Sequence, residues 1–102
     1  MDLKPGSRWR SAVCTAEAIV IRPPNTDINL ECGGHEMLAA GSAPAEGLSI
    51  ASEHATGVTV GKRYVDVDSG LEVLAAKAGQ GSLSANGREL TLKDAKPLPA
   101  SD

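Results

Sequence analysis

The chain has 102 residues, 41% of them hydrophobic, which suits one small domain with a modest core rather than several. Its net charge of −3 is spread over interspersed acidic and basic residues, and the lack of a basic stripe argues against a nucleic-acid partner. No apolar run approaches the ~20 residues of a membrane helix. The opening Met1-Asp2-Leu3-Lys4-Pro5-Gly6 lacks the apolar segment of a signal peptide, so no membrane contact is expected and the expected location is the cytoplasm.

Trp9 and Tyr64 are the only aromatic residues and are expected as core anchors, with Val, Leu, Ile and Ala supplying the rest. Eleven glycines and six prolines cut the chain into short pieces, which favours strands and tight turns over long helices. Arg8 to Val13 reads as a strand leading to Cys14, with Arg8 and Arg10 on the face opposite Trp9. Ala16 to Ile21 is a second strand, favoured by the β-branched Ile19, Val20 and Ile21. Pro23-Pro24-Asn25-Thr26-Asp27 turns the chain, and Ile28 to Cys32 returns, read as antiparallel to the second strand. That hairpin would bring the surroundings of Cys14 and Cys32 to one end. Residues 39–57 carry no sustained period beyond a brief alternation at Leu48 and Ile50, and read as a surface loop.

The last third is more regular. Arg63 to Val67 alternates polar and apolar residues, and Asp68-Ser69-Gly70 is a turn. Leu71 to Ala78 fits a strand or one short helix, and the neighbouring hairpin signals favour the strand. Ser82 to Ala85, Asn86-Gly87 and Arg88 to Leu92 form the strongest hairpin signal, because Asn-Gly suits a two-residue turn with positive φ at both positions. Lys96-Pro97-Leu98-Pro99-Ala100 reads as an extended tail. The expected fold is thus all-β: short antiparallel strands in a small barrel or sandwich, one domain over residues 1–102, with residues 58–102 as a β-meander.

Chemistry concentrates around Cys32-Gly33-Gly34-His35-Glu36-Met37 and the other cysteine, Cys14. Two glycines after a cysteine mark a sharp turn, which would leave the sulfur at a loop tip. Cys14, Cys32 and His35 form a candidate zinc or iron set, since thiolates and imidazole suit tetrahedral metal and Cys32-x-x-His35 fits one turn. His54, a carboxylate, water or a second subunit would complete it. The plain alternative is two small buried thiols and a solvated histidine, with no cofactor. A Cys14–Cys32 disulfide is a further option, disfavoured in a reducing cytoplasm. A catalytic thiol assisted by His35 or His54 is another.

Trp9-Arg10-Ser11-Ala12-Val13-Cys14, Ala18-Ile19-Val20-Ile21 and Leu30-Glu31-Cys32-Gly33-Gly34-His35-Glu36-Met37 together resemble desulforedoxin, the small iron-binding β-domain that also opens the desulfoferrodoxins. The resemblance covers residues 1–38 and implies a desulforedoxin-like N-terminal part. The family's first cysteine falls at Ser11 and one of its paired cysteines at Gly33, so half of the thiolate set remains and a four-sulfur iron site within one chain is ruled out by counting. The chain as a whole is also similar to small bacterial proteins, a likeness that implies no activity.

Asp66, Asp68 and Glu72 surround one turn and suggest a hard-cation loop, but they match no complete EF-hand, and a solvated turn is the simpler expectation. Gly61-Lys62 lacks the frame of a phosphate loop. The reading that follows is a small cytoplasmic, non-enzymatic binding or accessory protein, without catalytic residues. The alternatives are a zinc- or iron-binding protein using Cys14, Cys32 and His35, and a thiol-dependent enzyme. Two chains each offering Cys14 and Cys32, together with open sheet edges, suggest a homodimer.

Overall fold

A computed structural model of the chain describes residues 1–39, 41–42 and 47–93. Ten short strands carry the described residues: β1 (Arg8–Arg10), β2 (Glu17–Arg22), β3 (Leu30–Cys32), β4 (His35–Glu36), β5 (Leu38–Ala39), β6 (Arg63–Asp66), β7 (Leu71–Lys77), β8 (Leu83–Ala85), β9 (Arg88–Glu89) and β10 (Thr91–Leu92). One 3₁₀ turn, Ser52–His54, interrupts them. Alternation explains the longer strands. Ala18 and Val20 of β2 are buried while Ile21 and Arg22 are exposed, and Leu71, Val73 and Ala75 of β7 face inward at a spacing of two. That spacing selects the strand over the helix for residues 71–77. The extended tail expected at residues 96–100 lies outside the described residues.

The strands form an antiparallel sandwich. One sheet has the order β10-β6-β7-β2-β1-β5 and the other β4-β3-β8-β9. A single apolar cluster joins them, drawing Ala18, Val20, Val73 and Ala75 from the first and Leu30, Cys32, Leu83 and Ala85 from the second. Tyr64 is buried, and its hydroxyl accepts a hydrogen bond from the Thr59 N–H at 2.9 Å. Trp9 is only half-buried, packing on the edge of the cluster while its indole N–H donates to Ser7 Oγ.

The expected hairpin between the second and third strands is not formed. β2 pairs with β1 and β7, and β3 pairs with β4 and β8, in the opposite sheet. Both strands are apolar enough to be central, and each pairs on one side with a neighbour in sequence and on the other with a strand far along the chain. The N-terminal third is therefore completed by strands from residues 71–85.

The hairpin at Asn86-Gly87 forms as the sequence predicts, with φ of 50° and 85° at its two central residues. It is locked from the neighbouring strand, since Glu31 Oε1 accepts from the Gly87 N–H at 2.8 Å and from Ser84 Oγ at 3.1 Å. The second arm is shorter than expected. At buried Leu90 the chain leaves β9 and crosses to the other sheet as β10.

Candidate functional site

The loop from Ser11 to Ala16 joins β1 to β2, and the Ser11 N–H closes it on the Ala16 carbonyl at 2.9 Å. Within the loop Ser11 Oγ accepts from the backbone N–H groups of Val13 and Cys14, each at 3.0 Å. Cys14 Sγ lies 3.3 Å from the same oxygen. A serine oxygen has two lone pairs and one hydrogen. The protonated Cys14 thiol donates to this oxygen, and on ionisation of the sulfur the hydroxyl turns its hydrogen toward it. Ser11 is itself 1% exposed, so it has no water to turn to.

Cys32 ends β3 in the other sheet and is fully buried. Gly33 and Gly34 form the tight turn to β4, with φ of 66° and 87°. The turn is therefore as expected, but the sulfur is enclosed rather than at a tip, because β8 covers it and the Gly33 N–H donates to the Ser82 carbonyl. Cys14 Sγ and Cys32 Sγ stand 3.8 Å apart as free thiols. The two cysteines do meet, across the sandwich and not along a hairpin.

The segment Gly79-Gln80-Gly81 packs against both sulfurs. A Cβ on Gly79 would lie 2.7 Å from Cys14 Sγ, and one on Gly81 would lie 2.8 Å from Gly33 Cα and 3.2 Å from Cys32 Sγ. These glycines are needed for close approach, a demand different from that of a turn. The environments of the two thiols diverge. Partial burial works to raise the Cys14 pKa, but the Ser11 hydroxyl, the backbone of Ala16 and Gly81 and the Cys32 thiol outweigh it, and the net shift is downward. Burial pushes Cys32 up to about 12, against a smaller opposing effect of the Ser11 hydroxyl.

The histidines do not join this pair. His35 Nε2 is bonded to the Ser49 carbonyl at 2.9 Å, and His54 packs beside Gly34 with no partner for Nδ1 among the described residues. Among the described residues no group of three or more His, Cys, Asp or Glu is arranged to hold a metal ion. Position 33, where the family resemblance sets a sulfur, faces away from the thiols: a Cβ there would lie 2.7 Å from Val13 Cγ2 and 3.4 Å from Ile50 Cγ1. The second half of the expected surface loop is strapped to this turn, with the Ala51 N–H donating to the Gly33 carbonyl and the Ser82 N–H to that of His54.

The carboxylates around residue 70 hold cations of their own chain. Asp66, 4% exposed, accepts from Arg88 Nη2 at 2.9 Å and from Ser69 Oγ at 2.7 Å. Asp68 also meets Arg88, while Glu72 meets Arg63 and Lys93. The expectation of a solvated turn is thus wrong for Asp66 and Glu72, which are buried and paired. Two shallow grooves of about 190 and 400 Å³ run along β6, β9 and β10, and neither is lined by a cysteine.

Sequence reading named both cysteines but treated Ser11 only as a missing ligand. The signal that would have found its role is Ser-x-x-Cys, the spacing at which a serine oxygen caps the N–H groups two and three residues on. No helix of the described residues is long and apolar enough to cross a membrane. The chain matches no protein-family model, no curated protein and no solved structure.

Proposed function

We propose that this chain is a small non-enzymatic binding or accessory module whose chemical feature is a reversible Cys14–Cys32 dithiol, closing to a disulfide and reopening. The observation that carries the reading is the 3.8 Å separation of two free sulfurs held by different sheets. Bond formation needs them to approach by about 1.8 Å. A reducing cytoplasm suits a pair that works by cycling rather than as a fixed cross-link. The test is to titrate the protein through a series of glutathione redox buffers and trap free thiols by alkylation. The pair should lose two alkylatable thiols together and regain both on reduction. Two independently modified thiols, with no intramolecular disulfide, would overturn the reading.

A metal-binding reading has one observation in its favour. Two thiolates bound to one tetrahedral zinc at ~2.3 Å stand about 3.8 Å apart. It needs further ligands beyond Cys14 and Cys32, and His35 is already engaged with Ser49. Cobalt(II) added to the reduced protein should give thiolate charge-transfer absorption if this reading holds, lost in Cys14→Ser. A homodimer formed through a sheet edge is a weaker proposal. The edge strands β4, β5, β9 and β10 have two residues each, and such short edges discourage pairing. Light scattering decides it.

A further inference from the structure

The two sulfurs are close but not equivalent. Cys14 is partly buried on a connecting loop, while Cys32 lies at 0% exposure beneath the Gly79–Gly81 segment. Of the two, Cys14 alone keeps contact with solvent, so a disulfide arriving from solvent has to meet it first. Attack on a disulfide is in line, so the thiolate must see the far side of the S–S bond. For Cys32 the only sulfur within reach is Cys14 Sγ at 3.8 Å. Exposure thus sets an order on the chemistry, and the glycine segment enforces it by filling the space above Cys32.

Resting on the dithiol reading above, we infer that the reduced chain exchanges stoichiometrically, one partner disulfide per chain, in two steps in which Cys14 attacks and Cys32 resolves. In the first step the Cys14 thiolate forms a bond to one sulfur of R–S–S–R′, and R′S⁻ leaves and takes a proton from solvent. In the second step Cys32 gives up its proton to the departing RS⁻, and its sulfur bonds to Cys14 Sγ. The Cys14–S–S–R bond breaks and RSH leaves. The chain is oxidised to the Cys14–Cys32 disulfide, and the partner takes two electrons and is released as two thiols. Ser11 is a positioning residue here. Its hydroxyl lies 3.3 Å from Cys14 Sγ and is held by two backbone N–H groups, so it fixes the sulfur as well as supporting its charge.

The partner is a disulfide accessible to a loop, either a small molecule or an exposed peptide cross-link. Glutathione disulfide and a disulfide-linked model peptide are the two probes that separate these sources. With the full chain reduced beforehand, Cys32→Ser should accumulate a mixed disulfide on Cys14 with at least one probe, detected by intact mass and peptide mapping. Cys14→Ser should accumulate none on Cys32 under the same conditions, and the wild type should pass through the adduct to the internal disulfide. Cys32→Ala, which adds no buried hydroxyl, serves as the second trapping variant, and circular dichroism checks that each variant is folded.

An adduct on Cys32 in Cys14→Ser that forms as fast as the Cys14 adduct would overturn the order. So would a wild type that closes its internal disulfide while neither Cys32 variant traps any adduct, an outcome that leaves the dithiol reading intact. A wild type that keeps the adduct on Cys14 and never closes would remove the resolving role and the dithiol reading together.

Discussion

A hydroxyl oxygen that accepts from two backbone N–H groups is fixed in place beside whatever lies next to it. Ser11 is in that position, with Val13 and Cys14 N–H groups on its oxygen and Cys14 Sγ next to it. Its hydrogen favours the charged form of the thiol, in accord with the lowered Cys14 pKa. Ser11→Ala should therefore shift the pH profile of Cys14 alkylation to higher pH and slow the reaction several-fold near neutrality, whereas Ser11→Thr should retain most of the rate. An unmoved profile would leave Ser11 a purely structural cap. Cys32 titrates the other way. Its folded pKa of about 12 lies above the ordinary thiol value of 9.0, so the neutral thiol is favoured by folding. That contribution is fully present below pH 9.0 and is lost as pH rises toward 12. The stability of Cys32→Ala, measured by urea unfolding, should fall less steeply than that of the wild type over this alkaline range.

At the level of elements, the turns were more legible than the pairings. Asn86-Gly87 announces itself because its requirement is local, two positive φ angles in sequence. Gly87→Val should destabilise the protein by roughly 1–3 kcal/mol in chemical unfolding, the cost of forcing a β-branched residue into that region. Gly87→Ala should cost less. The partnership of β2 was not legible, because an apolar strand reads the same whether its neighbour is β3 or β7, and the choice is made by residues more than forty positions away. The packing of Gly79 and Gly81 against two sulfurs was not legible, since close approach leaves no local pattern. Gly81→Ala sets a methyl group against Gly33 backbone at 2.8 Å, so either the segment lifts or β3 shifts. In both cases Cys32 should become more reactive toward an alkylating reagent, while the wild type keeps it shielded.

Across the whole molecule, an ion pair on buried Asp66 bridges the two sheets as the thiols do. Asp66 belongs to β6 in one sheet and Arg88 to β9 in the other. Burial works to raise the Asp66 pKa, but hydrogen bonds from Arg88 and Ser69 outweigh it and the carboxyl is held below its ordinary value. A depressed pKa means stability that is present above the unfolded value of ~3.9 and is lost as pH falls through the folded one. Arg88→Ala should therefore be destabilised at neutral pH and show a shallower acid limb in thermal unfolding. The composition gave no hint of this pairing, because a turn carrying Asp66 and Asp68 looks solvated until β9 folds across it. The site was half legible for a similar reason. Both cysteines stand out as the only two in the chain, but which of them meets solvent depends on the sheet that covers it.

Cys14 hangs from one layer of the sandwich and Cys32 is woven into the other, so closing the disulfide would rivet the layers across a short stretch of sequence. Restricting the unfolded chain in this way is worth on the order of 3 kcal/mol. The larger effect is on time. Layers that are free to part expose their inner strands to cleavage at each opening, and riveted layers do not. Under pulse proteolysis the oxidised chain should outlast the reduced one, so that the quantity of intact protein would serve as a running account of the oxidants it has met.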